Sequence, residues 1–456
     1  MAFRFLLFII ATVSCFSVQL SPSVAQSLVI RDASILTMVN DDIQDNQTVI
    51  IEEGIIQWLG NADDAEIPEN AIVVEESYYV IPGLSEMHAH IPQPGQGEQV
   101  MKDALMLYLS QGITTIRGML GHPAHLELRE KAAAGGIVSP RIFTSGPSFS
   151  GGSVDSPEQA RRMVRQQAET GYDLLKFHPG LTVDQFNAIT EEANRLGIKF
   201  SGHISHDVGL ERSLNAGQGT IDHLDRYMEF LAGNPEERDD PSIIFFGYDL
   251  AYDVNEDRIA EAARMTEEAG VWNVPTHTLL DNVFNPDLSV EMMREWPGME
   301  YVSGATRDNW SEFIRNLRTG NDFDADKARR FLEVRDQLLI ALHEAGAGLM
   351  LGADAPQIFN PAGFSAHREL LLYVDAGLTP FEALKTGTVN VASYLGESGS
   401  SGVIAPGSRA DLVLLSSNPL ESIPFHDQIE GVISDGKYYD REELDQMLLD
   451  IKSRIN

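Results

Sequence analysis

The chain has 456 residues, of which 43% are hydrophobic and 22% are charged, and its formal net charge is −35. This size and composition predict a globular protein with a large core and more than one domain. The acidic surface repels nucleic acid and anionic membranes, so neither is an expected partner. The single cysteine, Cys15, excludes disulfides and thiolate metal sites from the sequence that follows it.

The first 25 residues have the layout of a secretory signal peptide. A positive start at Arg4 precedes an apolar run from Phe5 to Val18, and small residues lead up to Ala25. We expect cleavage after Ala25 and export, either to a periplasm or out of the cell. A retained N-terminal anchor is the alternative. No later segment reaches the length of a membrane span, so the mature chain is not expected to contain one.

Both ends of the mature chain have the character of β-structure. Within residues 28–80, short apolar runs alternate with turns rich in Asn, Asp and Gly, which is typical of a small β-sandwich. The same character returns in residues 410–415 and 431–433. The simplest arrangement is one composite domain made of residues 26–80 and 398–456.

Between these segments, residues 81–397 alternate predicted strands with predicted helices. The helical patterns include Glu98–Ser110, Pro157–Thr170, Val183–Leu196, Ala325–Ala345 and a last helix at Pro380–Leu395. The candidate strands are Tyr79–His88, Ile113–Gly118, Arg141–Ser145, Leu174–His178, Lys199–His203, Thr220–His223, Trp272–Thr276 and Gly348–Gly352. Eight strands that alternate with helices predict an α/β protein with a (β/α)8 TIM barrel. Long insertions at 225–270 and 278–346 are expected to form a substrate pocket or a lid.

The end of the first barrel strand carries a pair of histidines, His88 and His90. Side chains at positions i and i+2 of a strand point to the same side, so the two imidazoles would face one point. Two converging imidazoles supply half of a tetrahedral metal site. A lone His-X-His is a weak signal, and its meaning depends on whether other strand ends add ligands.

Other predicted strands also end in polar residues that could bind metal. In a barrel of this kind, catalytic groups lie at the C-terminal ends of the strands. The residues found there are His88, His90, Lys176, His203, His223 and Asp354. Each could instead be a hydrogen-bonded core histidine or a turn-capping acid, but their shared position at five strand ends favours a metal site.

Lys176 lies among apolar neighbours, where an unpaired ammonium group is costly. Burial lowers the pKa of a lysine, and a neutral amine can take up carbon dioxide to form a carbamate. Such a carboxylated lysine would bridge two cations. The alternative is a buried lysine paired with an acid such as Asp173.

Several motifs together resemble the amidohydrolase superfamily, and within it the branch of imidazolonepropionase and the metal-dependent, prolidase-like Xaa-Pro dipeptidases. They are Pro-Gly-Leu…His-Ala-His at 82–90, Gly-Ile-Thr-Thr-Ile-Arg at 112–117, Gly-Ala-Asp at 352–354 and the closing Gly…Pro-Gly…Ala-Asp-Leu-Val at 402–413. The resemblance covers nearly the whole mature chain. It implies a distorted (β/α)8 barrel with a β-sandwich, and metal-activated water that attacks a C–N bond.

Carried over position by position, the resemblance implies a binuclear zinc centre. His88 and His90 with Asp354 would hold the more buried ion, His203 with His223 the second, and carboxylated Lys176 would bridge them. Imidazolonepropionases use one metal and lack such a lysine, so Lys176 favours two metals. Relatives often have Arg-Asp where this chain has Arg117-Gly118.

The predicted chemistry follows from these ligands. Two zinc ions lower the pKa of bound water to near neutral, and Asp354 is placed to take its proton and deliver it to the leaving nitrogen. Tyr227 could donate to the developing oxyanion, or it could be a packed pocket aromatic. His178, His277 and His367 are candidate substrate-binding residues.

The sequence therefore predicts an exported zinc amidohydrolase that acts on a small molecule or short peptide, with Xaa-Pro dipeptides or N-acyl amino acids as leading substrates. One alternative is a mononuclear hydrolase of cyclic amides, or a deaminase, of the imidazolonepropionase type. Another is a binding protein that kept the barrel and lost catalysis. Whether the chain forms a homo-oligomer is left open.

Overall fold

The computed structural model describes residues 26–233, 246–423 and 425–455. The predicted signal peptide, residues 1–25, lies outside the described residues. No helix among the described residues is long and apolar enough to cross a membrane.

The strands, in chain order, are β1 (Leu28–Leu36), β2 (Ile43–Glu52), β3 (Ile55–Asn61), β4 (Ile72–Val74), β5 (Tyr79–Pro82), β6 (Leu84–Ala89), β7 (Ile113–Gly118), β8 (Arg141–Thr144), β9 (Leu174–Phe177), β10 (Lys199–Gly202), β11 (Thr220–Asp222), β12 (Trp272–Val274), β13 (Leu412–Leu415), β14 (Ile429–Ser434) and β15 (Lys437–Asp440). The α-helices are α1 (Glu98–Ser110), α2 (Pro123–Ala133), α3 (Pro157–Thr170), α4 (Val183–Leu196), α5 (Gly209–Ala216), α6 (Tyr227–Ala232), α7 (Ile259–Glu268), α8 (His277–Phe284), α9 (Val290–Arg294), α10 (Gly304–Thr319), α11 (Ala325–Ala345), α12 (Phe364–Ala376), α13 (Pro380–Thr386), α14 (Val389–Leu395) and α15 (Arg441–Ile455).

Both chain ends meet in one eight-stranded sheet. Its order is β15-β14-β13-β5-β1-β2-β3, and β4 pairs with β1. Strand β5 joins the two halves, because it pairs in parallel with β1 and antiparallel with β13. The predicted β domain from both termini is therefore present.

Strand β13 shows why this sheet has continuous apolar runs. All four of its residues, Leu412 to Leu415, are buried. Leu412 and Leu414 belong to the small core of the terminal sheet, whereas Val413 and Leu415 belong to the large core shared with the barrel. A strand buried on both faces needs apolar residues at every position, so it loses the alternation of a half-exposed strand.

The predicted barrel is confirmed, in a distorted form. Its parallel strands form two sheets, β6-β7-β8 and β9-β10-β11-β12. A single parallel bridge between Ser145 and Leu174 and another between Phe149 and Phe177 connect β8 to β9.

The eighth position of the barrel is not a regular strand, so the predicted strand at 348–352 is wrong in detail. Leu349 bridges Asn273 of β12, and Ala355 bridges Ala89 of β6, which closes the ring. Between the two bridges Asp354 takes a left-handed backbone conformation with φ of 60°. This conformation interrupts the extended chain, and so the ladder is reduced to isolated bridges.

Four of the predicted helices, α1, α3, α4 and α11, have the predicted bounds residue for residue. Strong end signals explain the agreement for α4. Thr182 forms a capping box with Gln185, and Gly197 ends the helix in the left-handed conformation.

The predicted last helix, Pro380–Leu395, is instead two helices, α13 and α14. The break lies at Gly387 and Thr388, where Thr388 has φ of −129° and ψ of −99°. The carbonyl of Gly387 accepts a hydrogen bond from the backbone N–H of Ser85 in β6. The barrel thus takes a carbonyl that a continuous helix would have used.

Candidate metal centre

Six predicted ligands lie at the ends of barrel strands, as the fold requires. His88 is in β6 and Lys176 in β9, while the others follow β6, β10, β11 and the eighth position. Their imidazole rings converge. Ring centroids lie 4.6 Å apart for His88 and His223, 4.5 Å for His203 and His223, and 5.5 Å for His88 and His90. The structure therefore brings these side chains to one point.

Asp354 is the common neighbour of three of these histidines. Its Oδ1 lies 3.1 Å from Nε2 of His90 and 3.5 Å from Nε2 of His88, and its Oδ2 lies 3.7 Å from Nδ1 of His223. Possible ligand atoms of His88, His90 and Asp354 all lie within 4.8 Å of one another. Two imidazoles and a carboxylate are a ligand set that suits zinc.

The polar atoms of the cluster also fit a cation. Nε2 of His223 and Oδ1 of Asp354 are buried and have no hydrogen-bond partner among the described residues. Such atoms are rare in native structures unless a water or an ion satisfies them. Burial, reinforced by nearby Lys176, lowers the pKa of His90 to about 3 and that of His88 well below its usual value. Both rings are therefore neutral at physiological pH, which is the form that binds metal.

Lys176 is fully buried inside the cluster. Its Nζ lies 3.5 Å from Nε2 of His88 and 3.5 Å from Oδ2 of Asp222. Burial lowers the pKa of Lys176, because the charged amine loses its hydration. The acid beside the amine is therefore Asp222 and not Asp173, whose carboxylate binds Arg129 at 2.8 Å and accepts the backbone N–H of Thr144.

A glycine in the neighbouring strand makes room for the lysine stem. Gly202 has φ of +119°, and a Cβ at this position would lie 2.8 Å from Cδ of Lys176. Any larger residue would therefore collide with the lysine as well as strain the backbone.

The second pair of histidines is held from outside the cluster. Nδ1 of His203 lies 2.9 Å from Oδ2 of Asp225, which also accepts the backbone N–H of Ile204. Nδ1 of His223 lies 2.8 Å from the hydroxyl of Thr276. A metal-binding histidine commonly anchors one ring nitrogen in this way and leaves the other for the ion.

Sequence reasoning missed the residues that orient the ligands. Oδ2 of Asp222 lies 3.0 Å from Nδ1 of His88, and Oδ1 of Asp222 lies 3.5 Å from the guanidinium of Arg117. Arg117 also donates to the backbone carbonyl of Met87 and to the hydroxyl of Thr220. The signal was present, because acids stand directly before His223 and two residues after it in the sequence.

Glu86 is a second missed residue. Its Oε1 accepts hydrogen bonds from the backbone N–H groups of Ala353, at 2.7 Å, and His88, at 3.3 Å. Burial raises the pKa of Glu86 to about 8. This side chain ties the first barrel strand to the loop that carries Asp354.

The predicted substrate-binding histidines are placed differently from one another. The ring of His178 lies beside His203, with centroids 5.2 Å apart, so it borders the cluster. His277 begins α8, where its Nε2 lies 3.5 Å from Asp336 and its ring packs edge-on against Tyr373. His178 is therefore the better placed of these two.

Two predicted functional residues have packing roles in this geometry. The hydroxyl of Tyr227 lies 2.7 Å from that of Thr266 in α7, which favours the packed aromatic over the oxyanion donor. Nε2 of His367 lies 2.9 Å from the carbonyl of Gln111, and its ring packs edge-on against Phe425. These contacts favour a structural role for His367 instead of substrate binding.

Residues 79–438 match the sequence profile of the amidohydrolase family. The chain belongs to the amidohydrolase family. This membership and the His-His-Asp site support a metal-dependent hydrolase that acts on C–N bonds. The predicted superfamily and fold are confirmed.

Individual relatives are distant but cover most of the chain. Ochratoxinase of Aspergillus niger is 20% identical over 456 residues, which covers 85% of this chain and 81% of that protein. Imidazolonepropionase of Ralstonia nicotianae is 24% identical over 393 residues, which covers 80% of this chain and 85% of that protein.

Solved structures agree on the fold. A bottromycin amidohydrolase has a TM-score of 0.71 and 22% identity, covering 94% of this chain and 91% of its own. A Xaa-Pro dipeptidase has a TM-score of 0.65 and 19% identity, covering 91% of this chain and all of its own. An imidazolonepropionase and a Xaa-Pro dipeptidase are thus both among the neighbours, as the sequence motifs indicated.

Proposed function

We propose that the protein is an exported zinc amidohydrolase with a binuclear centre that carboxylated Lys176 bridges, and that it hydrolyses Xaa-Pro dipeptides or N-acyl amino acids. The observation that carries this proposal is the position of Lys176. Its amine is fully buried within 3.5 Å of Nε2 of His88, amid histidines from three other strands. Its nearest acid, Asp222, also faces Arg117 and His88, so Lys176 is not needed to satisfy that carboxylate.

The ligands divide into two groups. His88, His90 and Asp354 would hold the first ion, and His203 and His223 the second. The contacts of His203 with Asp225 and of His223 with Thr276 engage Nδ1 of each ring, which leaves both Nε2 atoms for the second ion. When bound, zinc would polarise the amide carbonyl and acidify water.

Carboxylation of Lys176 is the addition of carbon dioxide to its neutral amine. The nitrogen forms a bond to the carbon of carbon dioxide, one C=O π bond becomes a C–O⁻ group, and the proton lost from nitrogen passes to water, so the product is an anionic carbamate. The lowered pKa of Lys176 supports this step, because a larger share of the amine is then unprotonated.

Asp354 is the residue that would move the proton. Its carboxylate faces His88, His90 and His223, at the centre of the cluster. In this position it can accept a proton from the attacking water and donate it to the amide nitrogen as the C–N bond breaks.

The substrate class rests on the neighbours and on His178. Relatives include a Xaa-Pro dipeptidase, an ochratoxinase and an imidazolonepropionase. His178 borders His203 and is only partly buried. Export is proposed from the signal-peptide pattern of residues 1–25.

The test is a hydrolysis screen of Xaa-Pro dipeptides and N-acyl amino acids, with zinc and bicarbonate supplied during purification. We expect turnover of at least one class by the native protein and none by Asp354→Asn. No hydrolysis of any member would overturn the proposal. Full activity with about one zinc per chain would favour the mononuclear alternative.

A further inference from the structure

A cavity of about 850 Å³ opens beside His90 at the C-terminal face of the barrel. Ile91, Leu120 and Pro356 line it, and they follow β6, β7 and the eighth barrel position. We propose that this chamber binds an uncharged, apolar acyl group of the amide substrate. The inference rests on the proposed function and narrows its substrate class.

The chamber is continuous with the metal centre through one ligand. The side chain of His90 is 20% exposed, whereas that of His88 is 1% exposed and that of Asp354 is 4% exposed. His90 is also part of the chamber wall. A group that fills the chamber would therefore lie next to an amide carbonyl positioned at the cluster.

The walls of the chamber are largely apolar and come from three helices. Helix α1 contributes Val100 and Leu107, α10 contributes Trp310, and α15 contributes Ile451, with Tyr301 just before α10. This volume and lining fall in the range of sites that bind small organic molecules. Aromatic walls favour an aromatic or bulky aliphatic group.

The charges in the chamber are already paired. His90 is neutral, and the charged residues among the described lining residues are Asp103 and Arg454. The guanidinium of Arg454 donates to both oxygens of Asp103, at 2.6 and 3.0 Å. No cation is left among them to bind a substrate carboxylate.

The pairing of Asp103 with Arg454 determines which side of the scissile amide bond enters the chamber. In an N-acyl amino acid the carboxylate stands on the leaving-amine side, and burial of an unpaired carboxylate among apolar walls is costly. The acyl side is neutral, so it fits the chamber. Substrates with bulky aromatic acyl groups are therefore favoured over acetyl or short dipeptide substrates.

The kinetic test uses two variants that fill the chamber with a bulky side chain. Thr306→Trp places a tryptophan on α10 and Val100→Trp places one on α1, and both positions line the chamber. Asn309→Trp is the matched control, because Asn309 is exposed on α10 and lies outside the lining. We expect both filling variants to lower kcat/KM for N-(2-naphthoyl)glycine about tenfold or more, mainly through KM.

Against N-acetylglycine the same variants should stay within about twofold of the native enzyme, since this substrate leaves the chamber empty. The control should leave both substrates unchanged. An equal loss for both substrates, or no loss for either, would overturn the chamber as the acyl site.

Binding of 2-naphthamide by titration calorimetry separates this inference from the proposed function. Binding that both filling variants weaken about tenfold supports the chamber, even if no amide is hydrolysed and the proposed function fails. Equal affinity for the native protein, the filling variants and the control overturns the chamber even if amides are hydrolysed.

Discussion

The two halves of the candidate metal centre are built differently. The half with His88, His90 and Asp354 has its ligand atoms within 4.8 Å of one another, and buried Asp222 backs His88. Among the described residues, the half with His203 and His223 has no carboxylate ligand of its own. The acid that anchors His203 is Asp225, which lies two residues after His223 in the chain.

This difference indicates an order of assembly. The first half already has a carboxylate ligand and needs no modification, so we expect it to bind its ion more tightly. In the proposed binuclear centre, the second half would be complete only when Lys176 supplies an anionic oxygen. Lys176 would then decide whether the second ion stays.

The largest expected effect is that of Asp354→Asn. The amide cannot accept a proton from water, so kcat should fall about 10³-fold, within the usual range for loss of a general base. Steady-state kinetics with the best substrate would measure the change. Asp435→Asn is the matched control, because Asp435 also has positive φ, at 51°, but lies in the terminal sheet.

Lys176→Met should reduce activity almost as strongly, because the variant keeps the stem and cannot form a carbamate. A short carboxylate such as acetate or propionate should restore part of the activity by taking the place of the carbamate. Lys102→Met, which changes a partly exposed lysine of α1, should leave turnover unchanged. Native turnover by Lys176→Met would contradict the bridging role.

Asp222→Asn and Asp225→Asn compare the two halves directly. Each removes the carboxylate behind one ligand histidine, and such losses typically weaken metal binding 10- to 100-fold, which we take as about the range here. Asp222→Asn should cost more, because it also leaves the buried guanidinium of Arg117 without its acid. Chelator competition would measure both affinities, and a larger loss for Asp225→Asn would reverse the comparison.

The smallest expected effect is that of Tyr227→Phe. Loss of the hydrogen bond to Thr266 should lower the free energy of unfolding by about 1 kcal/mol and leave kcat within about twofold. An oxyanion donor would instead cost about 10²-fold or more in kcat. Denaturant unfolding and steady-state kinetics together distinguish the two roles.

Much of this architecture follows from local sequence rules. The period of two places His88 and His90 on one side of a strand end, and the capping residues of α4 fix its bounds. Because the strands of a barrel end at one face, the sequence alone predicts that the ligands lie together.

Orientation after the strand ends could not be predicted in the same way. His223, Leu224 and Arg226 all have positive φ, at 63°, 55° and 68°. Such turns re-aim the chain in a way that the side-chain types do not reveal. Tyr227 is close to His223 in sequence, but because of these turns its hydroxyl contacts Thr266 of α7.

Long-range partners were the other missing part. The carboxylate of Asp222 contacts His88 and Arg117 across the barrel interior. The ring of His367 contacts the carbonyl of Gln111 and the ring of Phe425. These contacts depend on how distant elements pack. The periodicity of a single strand or helix does not predict that packing.

Zinc content tests the central claim most directly. Elemental analysis would compare the native protein with Lys176→Met after identical purification with zinc and bicarbonate. The account predicts about two zinc ions per chain in the native protein and about one in the variant. About two ions in both proteins, or one ion in a fully active native protein, would contradict a lysine-bridged binuclear centre.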